Sequence, residues 1–165
     1  MTLRLLAATT CLFLAGCPAV DFKEFDFTRT KPKTEELVGV WTPTKDTLLD
    51  IRERGHYAEA EYYIELRADS SFLFHNIPDW WSDGFGESHG KLETFTGTWD
   101  VTEDSNIWKI WNITLSTSKF ITSIHLYRQK PPYQLFIRVG DPNQGDAMLF
   151  EKKSGENKKW LTGKG

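Results

Sequence analysis

From Lys91 to Thr102 the chain reads KLETFTGTWDVT, with Phe95, Gly97, Trp99 and Val101 on one parity and Thr94, Thr96, Thr98 and Asp100 on the other. Side chains alternate between the two faces of a strand, so this run demands a β-strand with one face on a core and one in water. The same period of two recurs in Glu36 to Thr42, Ala60 to Arg67, Ser71 to Asn76, Ile107 to Ser116, Phe120 to Arg128, Tyr133 to Val139 and Ala147 to Lys152, giving eight candidate strands.

Between them stand ADSS at 68–71, EDSN at 103–106, QKPP at 129–132 and GDPNQG at 140–145. These supply the Asp, Asn, Pro and Gly that tight reversals favour. Short reversals force antiparallel neighbours, because a parallel pair needs a crossover of a dozen or more residues, and none is available after residue 91. Further inward rows are Tyr62, Ile64 and Leu66; Trp111, Ile113 and Leu115; Ile124 and Leu126; and Tyr133, Leu135, Ile137 and Val139. The pattern predicts an all-β fold, an eight-stranded antiparallel up-and-down barrel whose closure removes exposed edges. One helix interrupts it: Thr44 can cap KDTLLDIRER, with Leu48, Leu49 and Arg52 expected on the sheet side and Gly55 as the stop. Lying between the first two strands, it suits a lid over one barrel end.

Leu37 to Trp41, LVGVW, resembles the Gly-X-Trp of the first lipocalin strand, where the tryptophan plugs the closed end of the barrel. Gly97 to Trp99, GTW, repeats the motif in mid-chain, as in lipocalin-like bacterial lipoproteins. The resemblance spans residues 36–152 in strand count and order and implies a lipocalin-like barrel. It also implies an arginine near the barrel end, a place for which Arg128 and Arg138 are both candidates.

The chain opens MTLRLLAATTCLFLAGC: one arginine, an apolar run from Leu5 to Leu14, then small residues, the layout of a secretory signal. Leu14 to Cys17, LAGC, resembles the lipobox of bacterial lipoproteins. That resemblance implies a signal peptide over 1–16, acylation of Cys17 and attachment to a membrane of the bacterial cell envelope. Pro18 after the cysteine, in place of aspartate, leans toward the outer membrane, facing the periplasm. Each buried methylene of a lipid chain contributes about 0.8 kcal/mol, so several chains on one cysteine hold effectively permanently. Cys11 would be discarded and Cys17 consumed, which leaves no disulfide, and stability must come from burial.

Residues 17–34 then form a tether, 35–153 the barrel and 154–165 a polar tail. Phe22, Phe25 and Phe27 sit awkwardly in a tether. Aromatic area left in water costs about 25 cal/mol per Å², so they are expected to dock on the barrel or on lipid headgroups. The formal charge of −3 points to neither nucleic acid nor an anionic lipid surface as partner.

The stretch from Ile77 to Gly90, which holds Trp80 and Trp81 among Gly, Asp, Ser, Glu and His, reads as a long loop. Adjacent side chains on an extended segment point opposite ways, so one tryptophan should pack and the other stay near solvent as a contact residue. Asp79, Trp80, Trp81, Asp83, Phe85 and His89 are therefore the candidate binding residues. Asp79, Asp83, Glu87 and His89 invite a metal, but their spacing does not follow the alternate-residue ligands of a calcium loop, and one histidine does not make a zinc site. His56, His75 and His125 stand singly and read as surface or rim residues. No Gly-X-Ser-X-Gly elbow, His-Glu-X-X-His pair or surviving thiol supports catalysis, and no cofactor or metal is expected. Two functions fit: an anchored, non-catalytic module that contacts an envelope protein, or a binder of a small apolar ligand or lipid inside the barrel.

Overall fold

The alternating segments become a cylinder because each pairs antiparallel with the next and the last returns to the first. The computed structural model describes residues 26–55, 57, 60–81, 86–104, 109–140 and 146–154; Cys17, the signal segment and residues 155–165 lie outside them. Strands β1 (Gly39–Pro43), β2 (Tyr63–Leu66), β3 (Ser71–Pro78), β4 (Leu92–Glu103), β5 (Trp111–Ser116), β6 (Ile121–Tyr127), β7 (Gln134–Arg138) and β8 (Ala147–Lys152) form one closed barrel in chain order. A short helix α1 (Thr34–Leu37) precedes β1, and α2 (Lys45–Gly55) lies between β1 and β2.

The expected first strand therefore begins late: Glu36 and Leu37 belong to α1, and Gly39, at φ 146°, opens the strand. Trp41 behind it is fully buried and donates its indole N–H to the Leu37 carbonyl at 2.9 Å. The inward rows hold. On β4 the odd positions Phe95 and Val101 are half-buried and Trp99 is buried, while Thr94, Thr96, Thr98 and Asp100 are exposed. Leu66, Phe72, Phe74, Ile113, Leu115, Leu126, Leu135 and Phe150 complete a continuous apolar interior. Gly97 is required where β4 and β5 come together, because a Cβ there would run into the Ser116 carbonyl oxygen and stand 2.8 Å from a ring carbon of Phe72.

Helix α2 packs through a different face from the one expected. Ile51 and Thr47 are buried, whereas Leu49 is 45% exposed and Arg52 lies in solvent. Positions four apart share a face, so Thr47 and Ile51 point together at the barrel and carry Leu49 and Arg52 away. The Thr44 hydroxyl does cap the helix, accepting from Thr47 N–H at 3.3 Å. The Thr47 hydroxyl in turn accepts from Leu149 N–H at 2.9 Å and ties the helix to β8.

Part of the stretch read as a tether lies on the barrel wall. Phe27 is buried on the outer wall, edge-on to Phe136 with centroids 5.1 Å apart and edge-on to Tyr127 at 5.7 Å. Thr28 donates its N–H to Leu126 O and accepts from Trp111 N–H, both at 2.9 Å, and so wedges between β5 and β6 where they diverge. This strap explains why four consecutive residues of β7 are buried: Leu135 and Ile137 by the core, and Gln134 and Phe136 on the face it helps to cover. His125 lies under it rather than at the surface, with Nδ1 2.7 Å from Asn112 Oδ1 and its ring 5.3 Å from Phe27. Burial first, and then the charge of Arg138, press its pKa down to about 4 against an opposing pull from Asp104. Phe22 and Phe25 lie outside the described residues.

Candidate functional site

Successive strands alternate direction, so one rim of the barrel collects the ends of β1, β3, β5 and β7, the starts of β2, β4, β6 and β8, and helix α2. The two tryptophans stand on this rim. Strand β3 runs through Pro78 and passes directly into a 3₁₀ turn, Asp79–Trp81. The connection to β4 thus opens with a helical turn, and Ile77 and Pro78 belong to β3 rather than to the loop read from sequence.

Asp79 holds that connection closed. Its carboxylate is buried, with Oδ1 accepting from the Tyr57 hydroxyl at 2.7 Å and from His89 N–H at 3.4 Å, and Oδ2 accepting from Lys91 N–H at 3.2 Å. Asp79 N–H also donates to Lys91 O at 3.0 Å. Because the tyrosine proton is directed at the carboxylate, the Ser88 hydroxyl, 2.8 Å away, donates to the phenolic oxygen. The Tyr57 pKa is pushed up to about 12, chiefly by burial and also by Asp79, against the Ser88 bond. Asp79 is a loop clamp of the kind an N-terminal cap provides, with charged acceptor and backbone donors.

Both tryptophans are buried, at 1% exposure for Trp80 and 9% for Trp81, which corrects the expectation that one would remain near solvent. The reason is local: a tight helical turn separates neighbouring side chains by about 120° rather than 180°, so both can lean over the barrel mouth. Trp80 lies beneath the Arg54 guanidinium, 5.1 Å from its ring centre, and Arg54 is paired with Asp146 at 2.7 Å. The Trp80 indole N–H is buried and has no hydrogen-bond partner among the described residues. Trp81 stacks on Phe95 at 5.3 Å and 16°, touches Phe74 and Phe120, and donates its indole N–H to Glu93 at 3.3 Å.

Of the candidate binding residues, the structure thus brings Asp79, Trp80 and Trp81 into the rim itself. His89 is exposed and meets Asp79 through its backbone, not its ring. Asp83 and Phe85 lie outside the described residues. Among the described residues no three His, Cys, Asp or Glu side chains gather closely enough to hold a metal ion.

Phe95 and Phe120, packed edge-on and backed by Trp81, form the aromatic wall of a cleft of about 430 Å³ between Glu93–Thr96 of β4 and the 117–120 turn joining β5 to β6. This opening was missed in the sequence, where the turn between Ser116 and Phe120 carried no assigned chemistry. A signal was present in STSKF: Thr117 Oγ1 accepts from the N–H groups of Lys119 at 3.1 Å and Phe120 at 3.0 Å, a hydroxyl-stabilised reversal. Beside the cleft, Ile121 is 74% exposed. The site can offer aromatic surface, threonine hydroxyls, one lysine and the Glu93 carboxylate. Comparison of the chain with models of known protein families, with curated proteins and with solved structures finds no match.

Proposed function

We propose that this protein is a lipid-anchored, non-catalytic interaction module of the bacterial cell envelope: a lipocalin-like barrel held on a membrane by acylated Cys17, outer rather than inner, that contacts an envelope protein as accessory, inhibitor or immunity-type factor. One observation carries the choice over a small-ligand binder: the middle of the barrel is occupied by its own largest side chains. Trp41, Phe72, Phe74 and Phe150 are each fully buried. Interiors pack at crystal-like density, so a drug-sized or lipid-sized guest would have to displace these rings. The cleft between Thr94, Thr96 and the 117–120 turn lies on the side of β4 where its exposed threonines stand.

Two measurements test the proposal. Titrating the purified chain with a fluorescent fatty acid should give no saturable change in tryptophan emission; saturable binding at a stoichiometry of one would favour the ligand-binding alternative. Cys17→Ser should abolish palmitate labelling and move the protein from the membrane to the aqueous fraction, and continued membrane attachment would remove the anchor from the account.

A further inference from the structure

The β4 edge beside the cleft is open on one side. Trp99 N–H donates to Ser70 O at 2.8 Å, which fixes the bonded positions of the β3 ladder at Trp99, Gly97 and Phe95. The register shifts between Phe74 and Ile77, but beyond it Asp79 N–H donates to Lys91 O at 3.0 Å, so the odd positions of β4 still face β3; Thr96 and Thr94 turn their backbone N–H and C=O groups away from it, and the Thr94 hydroxyl accepts from Asn76 N–H at 3.0 Å. Strand β5 meets such groups from Thr98 onward, but Thr98↔Ser116 is its last pair before the chain turns off. Among the described residues no backbone hydrogen bond reaches Thr94 or Thr96 from that side. Natural edges carry proline or charge against unwanted pairing; the exposed positions on this strip are two threonines, and the register shift beside them lies on the β3 side.

The molecule itself illustrates what fits such a gap. At the opposite rim β5 and β6 separate beyond Asn112↔His125, and an extended piece of chain, Phe27 and Thr28, enters the opening, bonding to one strand on each side and burying its aromatic ring. The β4 gap offers the same elements: backbone donors and acceptors at strand spacing, aromatic cover from Phe95 and Phe120, and exposed Ile121 alongside. Its charges are distinct. The Glu93 carboxylate is held against the Trp81 indole on the β4 wall, and Lys119 stands exposed on the turn, so an acidic side chain finds its complement on the turn side, at Lys119.

We propose that the open edge of β4 at Thr94 and Thr96 is a docking strip for an extended segment of a partner protein, which adds as a short strand, sets an apolar residue against Phe120 and Ile121, and places an acidic residue at Lys119. This inference rests on the interaction-module function and names the partner's chemistry. Strand addition draws affinity from main-chain bonds and specificity from alternate side chains.

The test uses the full, membrane-attached chain with p-benzoylphenylalanine substituted for Ser118, irradiated in the cells that make it, and in parallel with the same photo-probe substituted for Glu87 on the neighbouring loop. The cross-linked segment is sequenced, synthesised as a free peptide and added to the purified chain. The expected cross-link from 118 falls on a stretch of another protein with Asp or Glu within two residues of an apolar side chain. The peptide should slow amide exchange at Thr94 and Thr96 and bind about tenfold more weakly to Thr96→Pro and to Lys119→Glu, the effect of losing one bonded group. Proline at 96 removes an N–H that faces away from β3, so the ladder and the near-UV circular dichroism should survive. A cross-link only to a second copy or to the chain's own termini overturns the proposal, as does peptide binding that leaves Thr94 and Thr96 exchange unchanged. Cross-linking from 87 with none from 118 overturns the docking strip and leaves the module function standing; none from either position counts against both.

Discussion

Replacing Phe27 with alanine would uncover a histidine that the barrel keeps neutral. The ring is 4% exposed and meets Phe136, Tyr127 and His125 on the outer wall. Truncating a buried phenylalanine costs about 3–5 kcal/mol in a core, and a strap that can peel away caps the loss at its own docking energy, so about 2–4 kcal/mol is expected. The second consequence is electrostatic. His125 has its pKa lowered from 6.5 to about 4, so between those values the unfolded chain binds a proton that the folded one refuses. Stability is therefore whole above pH 6.5, falls as the pH drops through that window and levels off below pH 4 on account of this ring. At about 1.4 kcal/mol per pH unit, less some relief from the partial exposure of the ring, His125 alone should remove roughly 2–3 kcal/mol. In Phe27→Ala water reaches the imidazole, its pKa rises toward 6.5, and this part of the pH dependence shrinks. Urea unfolding of both proteins at pH 7 and pH 4, read by tryptophan fluorescence, gives the difference directly, and the proton resonances of the His125 ring give the titration. A wild-type His125 that titrates near 6.5, or a variant with undiminished pH dependence, would refute the reasoning.

Three further substitutions probe the barrel and its rim. Asp79→Ala should cost about 1–3 kcal/mol by orphaning buried donors, speed amide exchange at His89 and Lys91, and lower the Tyr57 pKa in an ultraviolet titration; unchanged exchange would deny the clamp. Gly97→Ala should destabilise by about 1–3 kcal/mol or more through overpacking against Ser116 and Phe72, measured as a shift in urea midpoint, and a neutral result would mean that β4 and β5 are not in that close approach. Trp41→Ala, which empties the centre of the core and frees the Leu37 carbonyl, should cost about 3–5 kcal/mol by the same measurement, with a surface-like loss below 1 kcal/mol as the contrary outcome.

The barrel was legible because its signal is periodic and redundant. Phe95 and Trp99 against Thr94, Thr96 and Thr98 state the inside and outside of β4 without help from any other strand, and the turns leave only antiparallel neighbours. Helix α2 was legible as a helix but not in its packing face: Leu48, Leu49 and Arg52 are spaced to share a face, whereas the threonine at 47 reaches a β8 backbone donor that no local pattern contains. Glu36 and Leu37 alternate acceptably as strand, yet a capping interaction between Glu36 and the Lys33 backbone at 2.8 Å turns them into α1. Local side-chain bonds of this kind compete with period-two alternation.

The site was legible in its residues and not in its geometry. Adjacent tryptophans are unmistakable in sequence, but their common inward direction follows from a 3₁₀ turn that begins where β3 ends at Pro78. The burial of Phe136 and His125 depends on a strap 100 or so residues away in the chain, a contact fixed by tertiary pairing of Thr28 with Leu126 and Trp111. The open β4 edge is a mismatch of lengths, since β4 runs for 12 residues and β5 for only 6. Individual strand patterns carry no such register information.

The account as a whole turns on a barrel that keeps its interior for itself and hangs from a lipid on Cys17. Native mass spectrometry of the full chain, purified from its own membrane in mild detergent, examines both at once. The predicted spectrum shows a polypeptide that starts at Cys17, carries covalent acyl groups and sheds no further lipid on gas-phase activation. A non-covalent guest released on activation, or an unmodified chain still beginning at Met1, would contradict it.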